Sequence, residues 1–138
     1  MLDKLKDQLI IHEGLRLFPY ECTSGKTTIG IGRNLEDIGI TEEEAHILLE
    51  TDIKRVQRQL DKLWPHWRMM VEPRQAALIN FVFNVGIGTA EKFKNAMEAL
   101  KQSDYDTAAR EFLDSRWAKQ VGKRAEQVTE QIRTGEWQ

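Results

Sequence analysis

Leu2, Leu5, Leu9 and Ile10 fall three and four residues apart, the spacing that lines apolar side chains along one helix face. This predicts a short amphipathic helix over 3–13, closing at Glu13 before Gly14. Between Tyr20 and Ile31 the pattern changes. The stretch is rich in Thr, Ile and Gly, has Ser24-Gly25 in its middle, and reads as a β-hairpin. Gly30 and Gly32 alternate with Ile29 and Ile31, which marks a close approach of backbone. Thr41-Glu42-Glu43-Glu44 has the form of a capping box, in which the Thr hydroxyl accepts from one free N–H and Glu44 reaches back to another. Ala45, Leu48, Leu49, Ile53, Val56 and Leu60 then mark one face of a helix of about 20 residues. Pro65 ends it. Pro73 suits the first helical position of the next element. Residues 77–85 are apolar nearly all round, which predicts a central buried helix closed by Gly86 or Gly88. Shorter helices are expected near 91–101, 105–115 and 122–133.

This order predicts an α+β, mostly helical fold. A small lobe with the β-hairpin and a larger all-α lobe are joined by a long helix, with a cleft between them as the place for a ligand. Residues 1–138 read as one domain, with the small lobe over approximately 14–50 and the helical lobe over approximately 1–13 and 51–138. At 41% hydrophobic and 30% charged residues, the chain can bury a core and is too charged to be a membrane span. Its longest apolar stretch, residues 76–79 resumed at 81–83, falls far short of the ~20 residues that cross a bilayer. The first residues alternate in charge and show no apolar export signal. The lone cysteine, Cys22, excludes an intramolecular disulfide framework and fits a reducing compartment.

The net charge of −2 lacks the basic excess of a nucleic-acid binder, so no nucleic-acid partner is expected. The charge is uneven, however. Residues 35–63 hold eight acids and four bases, whereas residues 115–125 hold four bases and no acid. The latter run, Arg116, Lys119, Lys123 and Arg124, reads as either a solvated helix face or a cationic wall toward an anionic polymer.

The chemistry concentrates in Glu13–Gly32. A carboxylic acid ends a helix, a titratable side chain follows nine residues later, and a Thr six beyond that. Glycoside hydrolysis needs an acid on one side of the bond and a positioned water on the other. Hairpin register decides what stands beside Thr28. A two-residue Ser24-Gly25 turn puts Glu21 opposite Thr28. A three-residue Ser24-Gly25-Lys26 turn puts Cys22 there. Both a thiol and a carboxylate therefore remain open. His12 adjoins Glu13, but neighbours in a helix do not face each other. His46 and His66 show no ligand spacing with each other or with Cys22, so neither a metal nor a cofactor is expected.

Glu13–Gly32 resembles the phage-type lysozymes and endolysins. So do the Thr41–Asp52 helix start, Arg74–Phe83 with Gly86, Ser115-Arg116-Trp117, Arg124-Ala125 and Arg133–Trp137. The combination is specific to that family. Relative to its T-even members the chain is shortened between Gly32 and Thr41.

The resemblance implies a lysozyme-like fold and a muramidase, cleaving the β-1,4 bond between N-acetylmuramic acid and N-acetylglucosamine in bacterial peptidoglycan. It places Glu13 as general acid and Thr28 in the water-handling pair. Cys22 stands where the family usually has Asp, as in some other endolysins of this kind. It further implies inversion at the anomeric carbon, and substrate-side roles for Arg124, Gln120, Asn84, Leu35 and Trp117. Arg124 matches an arginine that pairs with the catalytic Glu, and Trp117 serves equally as a core anchor. Arg33 replaces a family His that pairs with an Asp, so that pair does not transfer to Asp52.

Also implied is a monomer held in the host cytoplasm until a holin-type protein releases it to the periplasm and wall. Two rivals remain open: a lytic transglycosylase, which needs the acid but no water activator, and a wall-binding relic in which Cys22 ended catalysis.

Overall fold

The computed structural model describes all residues, 1–138. The protein is α+β and predominantly helical, and by contact it divides into two compact units, Met1–Leu48 and Leu49–Gln138.

The first unit opens with helix α1, Leu2–Glu13. Gly14 (φ +77°) leaves the helix there, its N–H donating to Ile10 O. None of the α1 side chains is fully buried, although the predicted apolar spacing is present. This helix belongs to the first unit, whereas the sequence pattern grouped residues 1–13 with the helical lobe. The chain turns from Glu13 straight into strand β1, and the Glu13 side chain lies on Gly32, which ties the helix end to the sheet.

Strands β1 (Arg16–Glu21), β2 (Thr27–Gly30) and β3 (Arg33–Asn34) form an antiparallel sheet in sequence order. The third strand, at two residues, is too short to leave a periodicity in the sequence. After it, Asn34 Oδ1 accepts from the Asp37 N–H, and its Nδ2 donates to Asp37 Oδ2, closing a local turn.

Helix α2, Glu42–Leu63, begins with the predicted capping box. The Glu44 N–H donates to Thr41 Oγ1 at 3.1 Å, and the Thr41 N–H donates to Glu44 Oε1 at 2.9 Å.

The second unit holds the remainder of α2, a single 3₁₀ turn over Pro65–Met69, and six further helices. These are α3 (Glu72–Val85), α4 (Ile87–Glu91), α5 (Lys94–Lys101), α6 (Tyr105–Leu113), α7 (Arg116–Val121) and α8 (Lys123–Thr134). Pro73 lies in the first turn of α3, where its missing N–H costs nothing, and Gly86 ends the helix. Helix α3 buries Ala77, Leu78, Phe81 and Val82 along one stripe. It is not buried all round as expected, because Phe83 on the other side is 42% exposed.

The core is aromatic at its centre. Phe81 meets Phe93, Phe112 and Trp117 edge-on, with centroids 4.8–4.9 Å apart. Leu60, Trp67, Leu100, Val128 and Ile132 are among the residues packed with it. Full burial of each large side chain contributes about 1.5–3 kcal/mol, against the entropy of ordering the chain. Arg74 joins α3 to the end of α8: its Nε and Nη2 donate to the carbonyls of Ile132 and Arg133, and its guanidinium lies 3.6 Å from the Tyr105 ring centroid. No helix is long and apolar enough to cross a membrane.

Candidate active site

Glu13 is the last residue of α1, so its side chain projects where the helix stops and the sheet begins. The carboxylate is exposed and rests on the β2–β3 turn at Gly32. A Cβ at Gly32 would stand 2.8 Å from Glu13 Oε2 and 2.9 Å from its Cδ. Gly32 also has φ +69°, a left-handed conformation that side chains disfavour. Backbone freedom and close approach therefore demand glycine together here.

The hairpin has a register different from both sequence alternatives. Tyr20 pairs with Thr28 and Glu21 with Thr27. The Cys22 N–H donates to Lys26 O at 2.9 Å, and the Gly25 N–H to Cys22 O at 2.8 Å. The loop is thus the three residues Thr23-Ser24-Gly25, with Gly25 at φ +80°. Side chains alternate along a strand, so Tyr20, Cys22, Lys26 and Thr28 share one face and Glu21 and Thr27 the other. Cys22 stands diagonally from Thr28, not directly opposite it. Glu21 does not face Thr28. The sequence misled on loop length because Ser24-Gly25 satisfies several turn types, and only the cross-strand pairing chooses among them.

Cys22 is half-buried, with Sγ 3.0 Å from Ser24 Oγ. This hydrogen bond is the largest influence on the thiol. Backbone contacts to Lys26 and Ser24 and a smaller one to the Thr28 hydroxyl add to it, and together they lower its pKa to about 7. The thiol is therefore placed to ionise nearer neutral pH than an ordinary cysteine. Thr28 is buried, and its hydroxyl donates to Lys26 O at 2.9 Å. Its oxygen lone pairs can still accept from a water.

Arg33 donates from Nη1 to Glu44 Oε1 at 2.8 Å and to Gly39 O at 3.1 Å. Asp52 pairs instead with Arg55, at 2.7 Å. The Arg33 guanidinium, with the Thr41 N–H, holds the Glu44 carboxyl down at about 2. Sequence alone gives no sign of the Arg33–Glu44 pair, because its partners, eleven residues apart, meet only in the folded unit. Leu35, half-buried, donates its N–H to Thr27 O. With Leu15, Ile29, Ile31, Ile40 and Leu48 it lines an open apolar hollow of about 780 Å³.

In the second unit, Asn84, Trp117 and Gln120 surround one hollow of about 460 Å³, together with Thr89 and Arg116. Trp117 is a core residue that also reaches a surface hollow. Its ring is buried against Phe81, and its edge lines the hollow, with Nε1 donating to Asn84 Oδ1 at 2.7 Å. Arg124 lies apart from that group, in a mostly apolar hollow of about 400 Å³ with Ile53, Ile79 and Phe83. Its Nε and Nη2 donate to Asn80 Oδ1 at 3.1 and 2.9 Å. Asn80 lies one helical turn before Asn84 on α3, a spacing visible in the sequence. Trp137, by contrast, is 62% exposed.

No three His, Cys, Asp or Glu side chains converge as a metal site. The first unit thus offers an exposed carboxyl, a readily ionised thiol and a fixed hydroxyl on one small sheet and its adjoining helix end. That set can supply one proton, take another, and hold a water.

A family model described as phage lysozyme matches residues 11–133. The chain is 34% identical to an endolysin from Acyrthosiphon pisum secondary endosymbiont phage 1, over 82% of this chain and 77% of the relative. It is 29% identical to a probable T4-type lysozyme 1 of Dictyostelium discoideum, over 98% of this chain and 96% of that protein. It is also 34% identical to the pre-baseplate central spike protein Gp5 of Enterobacteria phage T4, over 89% of this chain. There it spans only 26% of the longer protein. The motifs around Glu13, Cys22 and Thr28 all fall within the matched span, and the chain belongs to the phage lysozyme family.

Proposed function

We propose that this protein is an inverting muramidase that hydrolyses the β-1,4 bond between N-acetylmuramic acid and N-acetylglucosamine. Membership of the phage lysozyme family supports the broader part of this reading, a lysozyme-type lytic enzyme of peptidoglycan. Glu13 gives its proton to the leaving glycosidic oxygen as the bond to the anomeric carbon breaks. Water, held at Thr28, bonds to that carbon and passes a proton to the Cys22 thiolate. The observation that carries the reading is the common hairpin face of Cys22 and Thr28, with the thiol tuned to neutral pH.

Leu35 in the first unit and, separately, Asn84, Gln120 and Trp117 in the second serve as saccharide contacts, and Arg124 carries the positive charge of its own hollow. The basic run at Arg116–Arg124 favours anionic peptide stems. As an endolysin, the protein would act as a monomer after release from the host cytoplasm by a holin-type partner. The identity to part of a central spike protein supports a second setting for the same chemistry, a muramidase borne on a particle.

Mass analysis of the products from purified peptidoglycan tests the reaction. Reducing muramic ends are expected, absent with Glu13→Gln. Anhydro ends would instead establish a transglycosylase. Binding to walls without release of soluble sugar would establish a relic.

A further inference from the structure

The hairpin loop gives Cys22 a partner that the family pattern does not assign. We infer that Ser24 is a positioning residue: its hydroxyl donates to the Cys22 sulfur and holds it, as a thiolate, on the Thr28 face of the hairpin. This rests on the reading of Cys22 as acceptor of the water's proton.

The contact is 3.0 Å from Ser24 Oγ to Cys22 Sγ. A thiolate has no proton to give, so once the sulfur is ionised the bond runs only from serine to sulfur. The loop that holds the two residues is fixed at both ends. The Cys22 N–H donates to Lys26 O, the Gly25 N–H donates to Cys22 O, and Gly25 supplies the left-handed residue such a loop requires. The loop backbone thus holds Ser24 two residues from Cys22, within reach of the sulfur through its hydroxyl.

Thr28 is another hydroxyl near the thiol, but it donates to Lys26 O at 2.9 Å, and its influence on the sulfur is the smallest of those that lower the thiol pKa. Ser24 makes the direct side-chain contact to the sulfur. Among charged groups, Lys26 is paired across the hairpin with Cys22, and its ammonium lies 3.5 Å from Asp37. Glu21 is on the opposite face, and Tyr20 shares the Cys22 face. The lowered thiol pKa agrees, with Ser24 its first cause.

The test titrates Cys22 in the full chain by the pH dependence of its alkylation by iodoacetamide. Wild type, Ser24→Ala and Ser24→Thr are compared, and lysis of purified walls is measured over the same pH range. Ser24→Ala should raise the thiol titration by about one pH unit and cut lysis at pH 7 about fivefold, the acid limb of the profile moving up with the thiol. Ser24→Thr, which keeps the hydroxyl, should restore both. A Ser24→Ala titration that overlays wild type overturns the role of Ser24 and leaves that of Cys22 standing. A shifted titration with an unmoved lysis profile overturns the reading of Cys22, and the inference with it.

Discussion

The carboxylate of Glu13 lies directly on Gly32, in space that a single methyl group would occupy. Gly32→Ala therefore has two effects. It forces a side chain into a left-handed backbone conformation, costing about 1–2 kcal/mol of stability. It also pushes the Glu13 carboxyl off its seat, because the flexible side chain yields before the backbone does. Lysis should fall by more than tenfold while the protein stays folded at 25 °C, a loss on the order of that from a small misplacement of a reacting group. Thermal unfolding and turbidity assays on the same variant separate the two effects.

Glu13→Gln keeps the shape and removes the proton. Lysis should drop by about 10²–10⁴-fold, the range for loss of a general acid. The melting temperature should stay close to wild type, since Glu13 is exposed. Residual activity above a few per cent of wild type, on walls free of other hydrolases, would remove Glu13 from the role of acid.

Cys22 should set the acid limb of the lysis profile. Its pKa is lowered to about 7, so below that pH the sulfur gains a proton and can no longer take one from water. Cys22→Asp, ionised down to about pH 4, should extend lysis toward acid and keep or raise it at neutrality. Cys22→Ala should impair it. Iodoacetamide should inactivate wild type and leave Cys22→Asp untouched. Full activity of Cys22→Ala at pH 7 would deny the thiol any part.

The Arg33–Glu44 pair makes a separate prediction about acid stability. The folded pKa of Glu44 is depressed, chiefly by the Arg33 hydrogen bond and then by the Thr41 N–H. Such a group stabilises the fold above its unfolded value near 4.5, and the contribution disappears as pH falls toward about 2. Arg33→Ala should lower stability at pH 7, and its difference from wild type should shrink on acidification through that window. Denaturant midpoints measured at pH 7, 4 and 2.5 check this.

Trp117 and Asn84 can be separated by substitution. Trp117→Phe retains an aromatic edge against Phe81 but loses the indole bond to Asn84, and should cost about 1 kcal/mol. Trp117→Ala opens the core and should cost about 3–5 kcal/mol. If Asn84 also contacts saccharide, Asn84→Ala should weaken lysis more than it weakens folding. Equal, small effects on both would assign Asn84 to structure alone.

Features carried by neighbouring residues were legible in the sequence. Thr41 and Glu44 announced the start of α2, Pro73 the first turn of α3 and Gly86 its end, because each acts within four or five residues of itself. Glu13, Cys22 and Thr28 were legible through their spacing and the family pattern. The rest depended on contacts that sequence distance hides. Ser24-Gly25 did not reveal the loop length, since its preference for turns is shared by several geometries and the pairing of Tyr20 with Thr28 decided among them. Arg33 gave no hint of Glu44, eleven residues away. Trp117 was ambiguous because a tryptophan in a core and one beside a sugar look alike until its edge is located.

The Thr23-Ser24-Gly25 loop makes the hairpin intolerant of indels. One residue added or removed there would rotate the tip of β1 by half a pleat, turning sulfur to the back of the sheet and bringing Glu21 forward. Grafting this segment onto a related scaffold therefore requires matching the number of loop residues before their identity.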